Sequence, residues 1–187
     1  VQVDYDLNFN KGIKDSEKVF VMSSGSMDGD ADKRQLNFCR PLAEIILEAS
    51  PNIECGGCLM FSTSEESRYW IERDGAKQDI DLSVTRFSGN ALTTLGFEAV
   101  SGSLEDLDYN SFAISESIAH KFNLEVGMCL GYDIYENIWT IKAIFKDMPE
   151  NSHFRDIAVV RNICDEQIAN FSEWGHNYFV KLHDPSQ

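Results

Sequence analysis

The stretch Phe112-Ala113-Ile114-Ser115-Glu116-Ser117-Ile118-Ala119-His120-Lys121-Phe122 decides how this chain is read. Its first three residues are an apolar run suited to a strand. Ser115 can accept backbone N–H bonds and cap a helix. Glu116 then falls in the first turn and Lys121 in the last, each matched to the helix dipole. Ile118, Ala119 and Phe122 make the stripe that such a helix would bury. Beyond it, Glu125-Val126-Gly127 opens a strand running to Tyr132. Residues 138–145 alternate, with Trp139, Ile141, Ala143 and Phe145 on one face, and Asn137 reads as a turn residue between the two strands. Asp147-Met148-Pro149-Glu150-Asn151-Ser152 closes the hairpin in a turn cluster. The predicted order is strand, capped helix, hairpin, turn.

Toward the amino terminus, Lys18-Val19-Phe20-Val21-Met22 is rich in β-branched and aromatic residues and reads as a strand, and 23–30 reads as a loop. Pro41 suits a first helical turn. Leu42, Ile45, Ile46 and Ala49 recur at helical spacing, so a helix is predicted over 41–49, stopped by Pro51. Residues 53–61 read as the next strand, which makes 18–61 a βαβ-like unit. Asp74-Gly75 lies between two strand-like runs, 69–73 and 80–84, and predicts a hairpin. One helical turn is expected over 91–95, a short strand over 97–100, and an acidic loop over 104–110. Toward the carboxy terminus, an apolar run at 157–160, a short helix at 165–172 and a final strand at 177–182 complete the reading.

The chain has 187 residues and a formal net charge of -15. Phosphate backbones repel such a surface, so no nucleic-acid partner is expected. A cationic peptide is the partner that the charge itself would suit. No run of about 18 apolar residues is present to span a bilayer. The chain starts at Val1 without an initiator Met and reads as an excised piece or a processed form.

Several motifs invite chemistry. Cys55-Gly56-Gly57-Cys58 has the spacing of a dithiol, which exchanges disulfides when a helix N-terminus lowers one thiol's pKa. Here Leu59-Met60-Phe61 follows and reads as strand. The other readings of the pair are a glycine bulge or tight turn flanked by small buried residues, or a structural cystine across that turn. Asp28, Asp30 and Asp32 echo a calcium loop, but Lys33 stands where the loop needs Gly, and Cys39 where it needs a bidentate Glu. His176 and His183 lack the cysteine partners of a zinc site. No nucleophile elbow, Ser-x-x-Lys pair or phosphate-cradling loop occurs. Glu65-Glu66 and Glu105-Asp106 read as solvated faces, His153 as a hydrogen-bonding turn residue, and Trp70, Trp139 and Trp174 as packing groups. No catalytic residue, metal ligand or cofactor site is assigned.

At 112–122 and 138–154 the sequence resembles the extracytoplasmic core domain of MacB/FtsX-like ABC-transporter permeases. The match reads "iSe.lA.k.f", a Gly-led strand, then "y.v.gif.d.P.nSh". Residues 5–11 and Val19-Phe20-Val21 resemble the stretch after that family's first membrane helix. Pro41-Leu42-Ala43 with Pro51-Asn52-Ile53-Glu54 resembles its helix–strand join, and 174–182 its returning strand. Ala143 stands where the family has Gly, and Glu125-Val126-Gly127-Met128 is all that remains of its "dpiGk" element. The resemblance implies an α+β fold: a porter-like α/β layer, discontinuous in sequence, over 1–95 plus 151–187, with a small strand-rich (Sabre-like) subdomain inserted at 96–150. It implies a periplasmic location between two membrane helices of an inner-membrane protein, and no enzymatic activity. The implied role couples ATP-driven motion to a periplasmic adaptor, lipoprotein or peptide cargo. The implied partners are a second permease subunit or copy and a cytoplasmic ATPase. Two other functions stand beside it: a thiol-redox protein using Cys55 and Cys58, and a stand-alone acidic binding or sensor module for cationic peptides.

Overall fold

The computed structural model describes residues 10, 12–23, 36–60, 67–132, 137–163, 171 and 175–186. In chain order they form β1 (Val19–Val21), β2 (Asn37–Phe38), α1 (Arg40–Ala49), β3 (Ile53–Met60), β4 (Ser67–Arg73), β5 (Ala76–Leu82) and β6 (Val84–Gly89). Then come α2 (Ala91–Thr94), β7 (Ala99–Gly102), β8 (Ser111–Ser115), α3 (Glu116–Phe122), β9 (Cys129–Tyr132), β10 (Asn137–Phe145), β11 (Val159–Asn162) and β12 (His176–Leu182). A 3₁₀ turn, Ser16–Lys18, precedes β1. The class is α+β, with mixed strand pairing and few helices. Two compact units divide the chain: Val1–Gly12, Phe61–Arg86 and Phe97–Asn162 make the first, and Ile13–Met60, Phe87–Gly96 and Ile163–Gln187 the second.

In the second unit β12 is the organising strand. β1 and β2 pair in tandem along one of its edges, through Val19↔Lys181 and His176↔Phe38, and β3 pairs along the other, all antiparallel. β1 and β3 are therefore parallel with β12 between them, a split βαβ arrangement around α1. The predicted strand–helix–strand unit is present, but its two strands are not neighbours. On one face of this sheet, Phe38, Ala43, Cys58, Ile163 and Tyr178 form a core with Leu42 and Leu47 against it. The helical stripe is shifted from the predicted one. Ala43 is the buried residue of α1, while Ile45 is 56% exposed and Ile46 36%.

The strand order of the first unit is β11-β8-β10-β9-β4-β5, with β7 pairing the far half of β10. β8 and β10 run parallel, connected through α3 and β9, and Ser115 caps α3 by accepting from the Ile118 amide at 3.4 Å. Trp139, Ile141, Ala143 and Phe145 are buried on one face, as the alternation predicts. Asn137 is not the turn residue. It pairs with Tyr132 as the first residue of β10, and residues 133–136 lie outside the described residues. The 97–100 strand is shifted to Ala99–Gly102, and the 165–172 helix lies almost wholly outside the described residues.

Asp74-Gly75 does close the β4–β5 hairpin. Both residues have positive φ, 51° and 75°, as a two-residue primed turn demands, with Arg73 opposite Ala76. This hairpin joins β9 through Tyr69↔Tyr132 and Trp70↔Gly131, which puts it in the unit that holds 97–162. Between β8 and β4 lie two strands, a flat distance of about 14 Å. The Tyr69 and Phe112 rings nevertheless meet at 5.5 Å. The sheet therefore curls strongly, and register shifts at β10 fit that curvature. Tyr69, Phe112, Tyr132 and Trp139 fill the concave side with Ile71, Leu130, Ile141 and Val159.

Candidate functional site

The two thiols of Cys55-Gly56-Gly57-Cys58 do not form a reactive pair. The run is regular strand, paired residue for residue with Lys181, Val180, Phe179 and Tyr178, and the register shift falls one position earlier, at Glu54. This corrects the glycine-bulge and tight-turn reading. Residues three apart in a strand point to opposite faces and lie about 10 Å apart, beyond disulfide reach. Cys55 accordingly meets the Thr94 hydroxyl at 3.3 Å, while Cys58 is buried against the Ser88 hydroxyl at 2.9 Å. Both are free, which rules out the cystine between them. Burial pushes the Cys58 thiol up, the reverse of what a nucleophilic thiol needs.

The glycines serve packing instead. A methyl on Gly57 would lie 2.3 Å from the Ala91 nitrogen and 2.4 Å from the Ser88 carbonyl, so α2 rests directly on that backbone. A methyl on Gly56 would lie 2.7 Å from the Leu47 side chain of α1, on the opposite face. The glycine pair lets a helical element approach β3 from each side.

No group of three His, Cys, Asp or Glu among the described residues could hold a metal ion. Asp28, Asp30, Asp32, Glu65, Glu66, Cys164 and Trp174 lie outside the described residues. His176 is buried in β12, and His183 follows the strand with its amide on the Asn52 carbonyl. Trp139 stacks on Phe112 in the core, with ring centroids 5.5 Å apart. Trp70 lies against Gly131, where a methyl would come within 2.0 Å of the ring, and the Lys77 ammonium stands over the ring, 3.7 Å from its centroid.

What the second unit does bring together are its first and last strands. β1 and β12 are antiparallel neighbours, so the chain entering β1 and the chain leaving β12 emerge at the same end of the second unit. They are braced there: the Lys181 ammonium sits 2.8 Å from the Asp15 carboxylate and 3.4 Å from that of Glu54. The hydrogen bond and charge of Lys181 hold the Asp15 carboxyl below its usual range, and Asp15 in turn raises Lys181. Just past β12, Asn52 grips Asp184 twice: its Nδ2 donates to the Asp184 carbonyl and its Oδ1 accepts from the Asp184 amide.

A second fixing point holds the incoming chain within the first unit. The Asn10 amide donates to the Asn151 carbonyl at 2.8 Å, the His153 amide donates to Asn10 Oδ1 at 3.2 Å, and Asn10 Nδ2 lies 3.0 Å from His153 Nδ1. A methyl on Gly12 would collide with Pro149 at 2.7 Å. The turn cluster read from the sequence thus clasps Asn10 and Gly12, and His153 has the hydrogen-bonding part expected of it. Lys181 and Asn10 were not legible as partners. Lys181 is one charge in an alternating strand, and its two carboxylates come from distant segments.

No described helix is long and apolar enough to cross a membrane. No family model matches the chain, and no curated protein matches it. Among solved structures it is similar to a domain described as coming from a permease protein of Porphyromonas gingivalis. That match has a TM-score of 0.73 and 18% identity over 89% of this chain and 75% of the other. It is also similar to the periplasmic region of MacB from Actinobacillus actinomycetemcomitans, with a TM-score of 0.62 and 12% identity over 93% and 78%. The chain has the fold of these domains.

Proposed function

We propose that this chain is the non-catalytic extracytoplasmic domain of an ABC-transporter permease, tethered at both ends to membrane helices and moved by them when a cytoplasmic ATPase cycles. The observation that carries this reading is the pairing of the first and last strands. An antiparallel β1–β12 pair sets the start of the first strand beside the end of the last, an arrangement that suits two tethers to one membrane, and Asp15, Glu54 and Lys181 lock that end. Displacing both tethers together moves the sheet as a body, because load is shared across the ladder. In this reading the second unit is the porter-like layer and the first is the strand-rich, Sabre-like part. The partners are a second permease copy or subunit and, outside the membrane, an adaptor, lipoprotein or peptide cargo.

Support comes from the likeness in fold to two permease domains and from the ordered motifs between 5 and 182. The dithiol alternative fails on geometry, since Cys55 and Cys58 face opposite ways.

Cys129 is exposed and supplies the test. In spheroplasts carrying the full-length gene product, a membrane-impermeant maleimide should label Cys129 without lysis, and the Cys129→Ser variant should lose that label. Labelling only after lysis would place the domain on the wrong side and end the proposal.

A further inference from the structure

The concave face of the first unit carries two arginines that no carboxylate among the described residues answers. Arg161 lies on β11 opposite Phe112, so it shares the core face with Phe112, Ile114 and Val159. Arg86 lies two residues from Val84, which packs against the same core, and β6 is next to β11 in the strand order. Both arginines are half-buried. The Nε of Arg161 is buried and meets no acceptor. The ion pairs among the described residues engage Arg40, Arg68, Arg155 and Lys181, and neither Arg86 nor Arg161. In a chain with 31 acidic residues against 16 basic ones, two guanidiniums on neighbouring strands without a counter-charge among the described residues are a costly arrangement.

The surroundings explain where a ligand would lie. The Arg161 guanidinium sits 5.5 Å from the Trp139 ring centroid, a cation–π contact that orients it without neutralising it. Tyr132 is edge-on to Trp139 at 5.6 Å, and Tyr69 meets Tyr132 at 5.0 Å. Tyr109, 55% exposed, stands close enough for its hydroxyl to act on the Arg161 charge. Burial, with Arg86 adding to it, pushes the Arg161 pKa down, and burial lifts the Tyr69 phenol to about 12. Tyr69 is therefore a neutral hydroxyl at physiological pH, able to donate.

We infer that Arg86 and Arg161 form an oxyanion-binding site, one that takes a carboxylate or phosphate group borne on an aromatic or apolar body resting against Tyr109 and Tyr132. Guanidiniums suit this chemistry because they present several donors in a fixed plane and lose less hydration than an ammonium. The bound anion supplies the missing counter-charge and the acceptor that Arg161 Nε lacks.

The test uses the 187-residue chain and four probes: inorganic phosphate, phenyl phosphate, N-acetyl-phenylalanine and its amide. Binding is read by Trp fluorescence and by the rise in melting temperature that a native-state ligand causes. The anionic probes should bind, and the amide, matched in shape but uncharged, should not. Phenyl phosphate binding more tightly than inorganic phosphate would assign the site to an amphipathic ligand, and equal binding would assign it to the oxyanion alone. Arg161→Met and Arg86→Met should each weaken binding at least tenfold without lowering the melting temperature of the free protein, since each removes an unanswered charge while keeping an aliphatic stem. Equal binding of the amide, or anion binding unchanged in both variants, would overturn the inference. So would a marked loss of stability in both, which would show that the guanidiniums are braced from within the chain.

Discussion

At the scale of single residues, Gly57 and Lys181 show two different ways in which a side chain's absence or presence fixes this fold. Gly57→Ala would drive a methyl into backbone atoms of Ser88 and Ala91, which cannot rotate away. Overpacking of this kind costs about 2–3 kcal/mol, and the urea midpoint should fall accordingly. Gly75→Ala, with open space around it but φ at +75°, should cost less, about 1 kcal/mol. Lys181 acts through charge. Asp15 has a folded pKa below its ordinary 3.8, so its contribution is present above that pH and is lost as pH falls through the lower folded value. Lys181 has a folded pKa above its ordinary 10.5, so its share is lost only as pH rises beyond that. Urea midpoints of wild type and Lys181→Met should therefore differ at neutral pH and converge in acid. The gap should shrink with salt, because the pair is solvent-reachable. A gap that persists in acid would assign the effect to the lysine's aliphatic stem.

At the scale of elements, local signals were readable where the chemistry is local. Asp74-Gly75 specifies its turn through backbone conformations that few other pairs adopt. Ser115 caps α3 as its position implies. Asp147 adds a cap that local spacing does not reveal: its carboxylate accepts from both the amide and the hydroxyl of Ser117, thirty residues away. Asp147→Ala should therefore cost about 1 kcal/mol. It should also raise amide exchange at 116–118 before it does so elsewhere. Unchanged exchange there would remove Asp147 from the capping role. The strand read over 53–61 is present, as Ile53–Met60, and it is the bulge or tight turn within Cys55-Gly56-Gly57-Cys58 that fails, for a physical reason. Glycine marks both bulges and close approaches, and only the partners of β3, α1 on one side and α2 on the other, separate the two. The stripe on α1 slipped for a related reason. Periodicity locates a helix but not which flank the sheet covers, and here Ala43 and Leu47 face the sheet while Ile45 points away.

At the scale of the whole molecule, the α+β class and the order of elements followed from sequence, and the grouping of segments did not. The 67–82 hairpin carries no mark of its partner. It falls in the same unit as 97–162 because Tyr69 and Trp70 pair with Tyr132 and Gly131, a contact across some sixty residues. The arginine pair was equally hidden, since nothing local says that Arg86 and Arg161 will lie on adjoining strands with no ion-pair partner among the described residues. The pairing of the first and last strands also arises at this scale, and the proposed relay of movement rests on it. The direct test places a fluorophore on Cys129 and an energy acceptor in the lipid of proteoliposomes holding the full-length transporter. Energy transfer should change on ATP addition. It should stop changing when a flexible Gly-Ser segment is inserted after Ser186, with hydrolysis continuing. A transfer signal that ignores ATP, or that responds equally with the slack segment in place, would contradict a force-relaying domain.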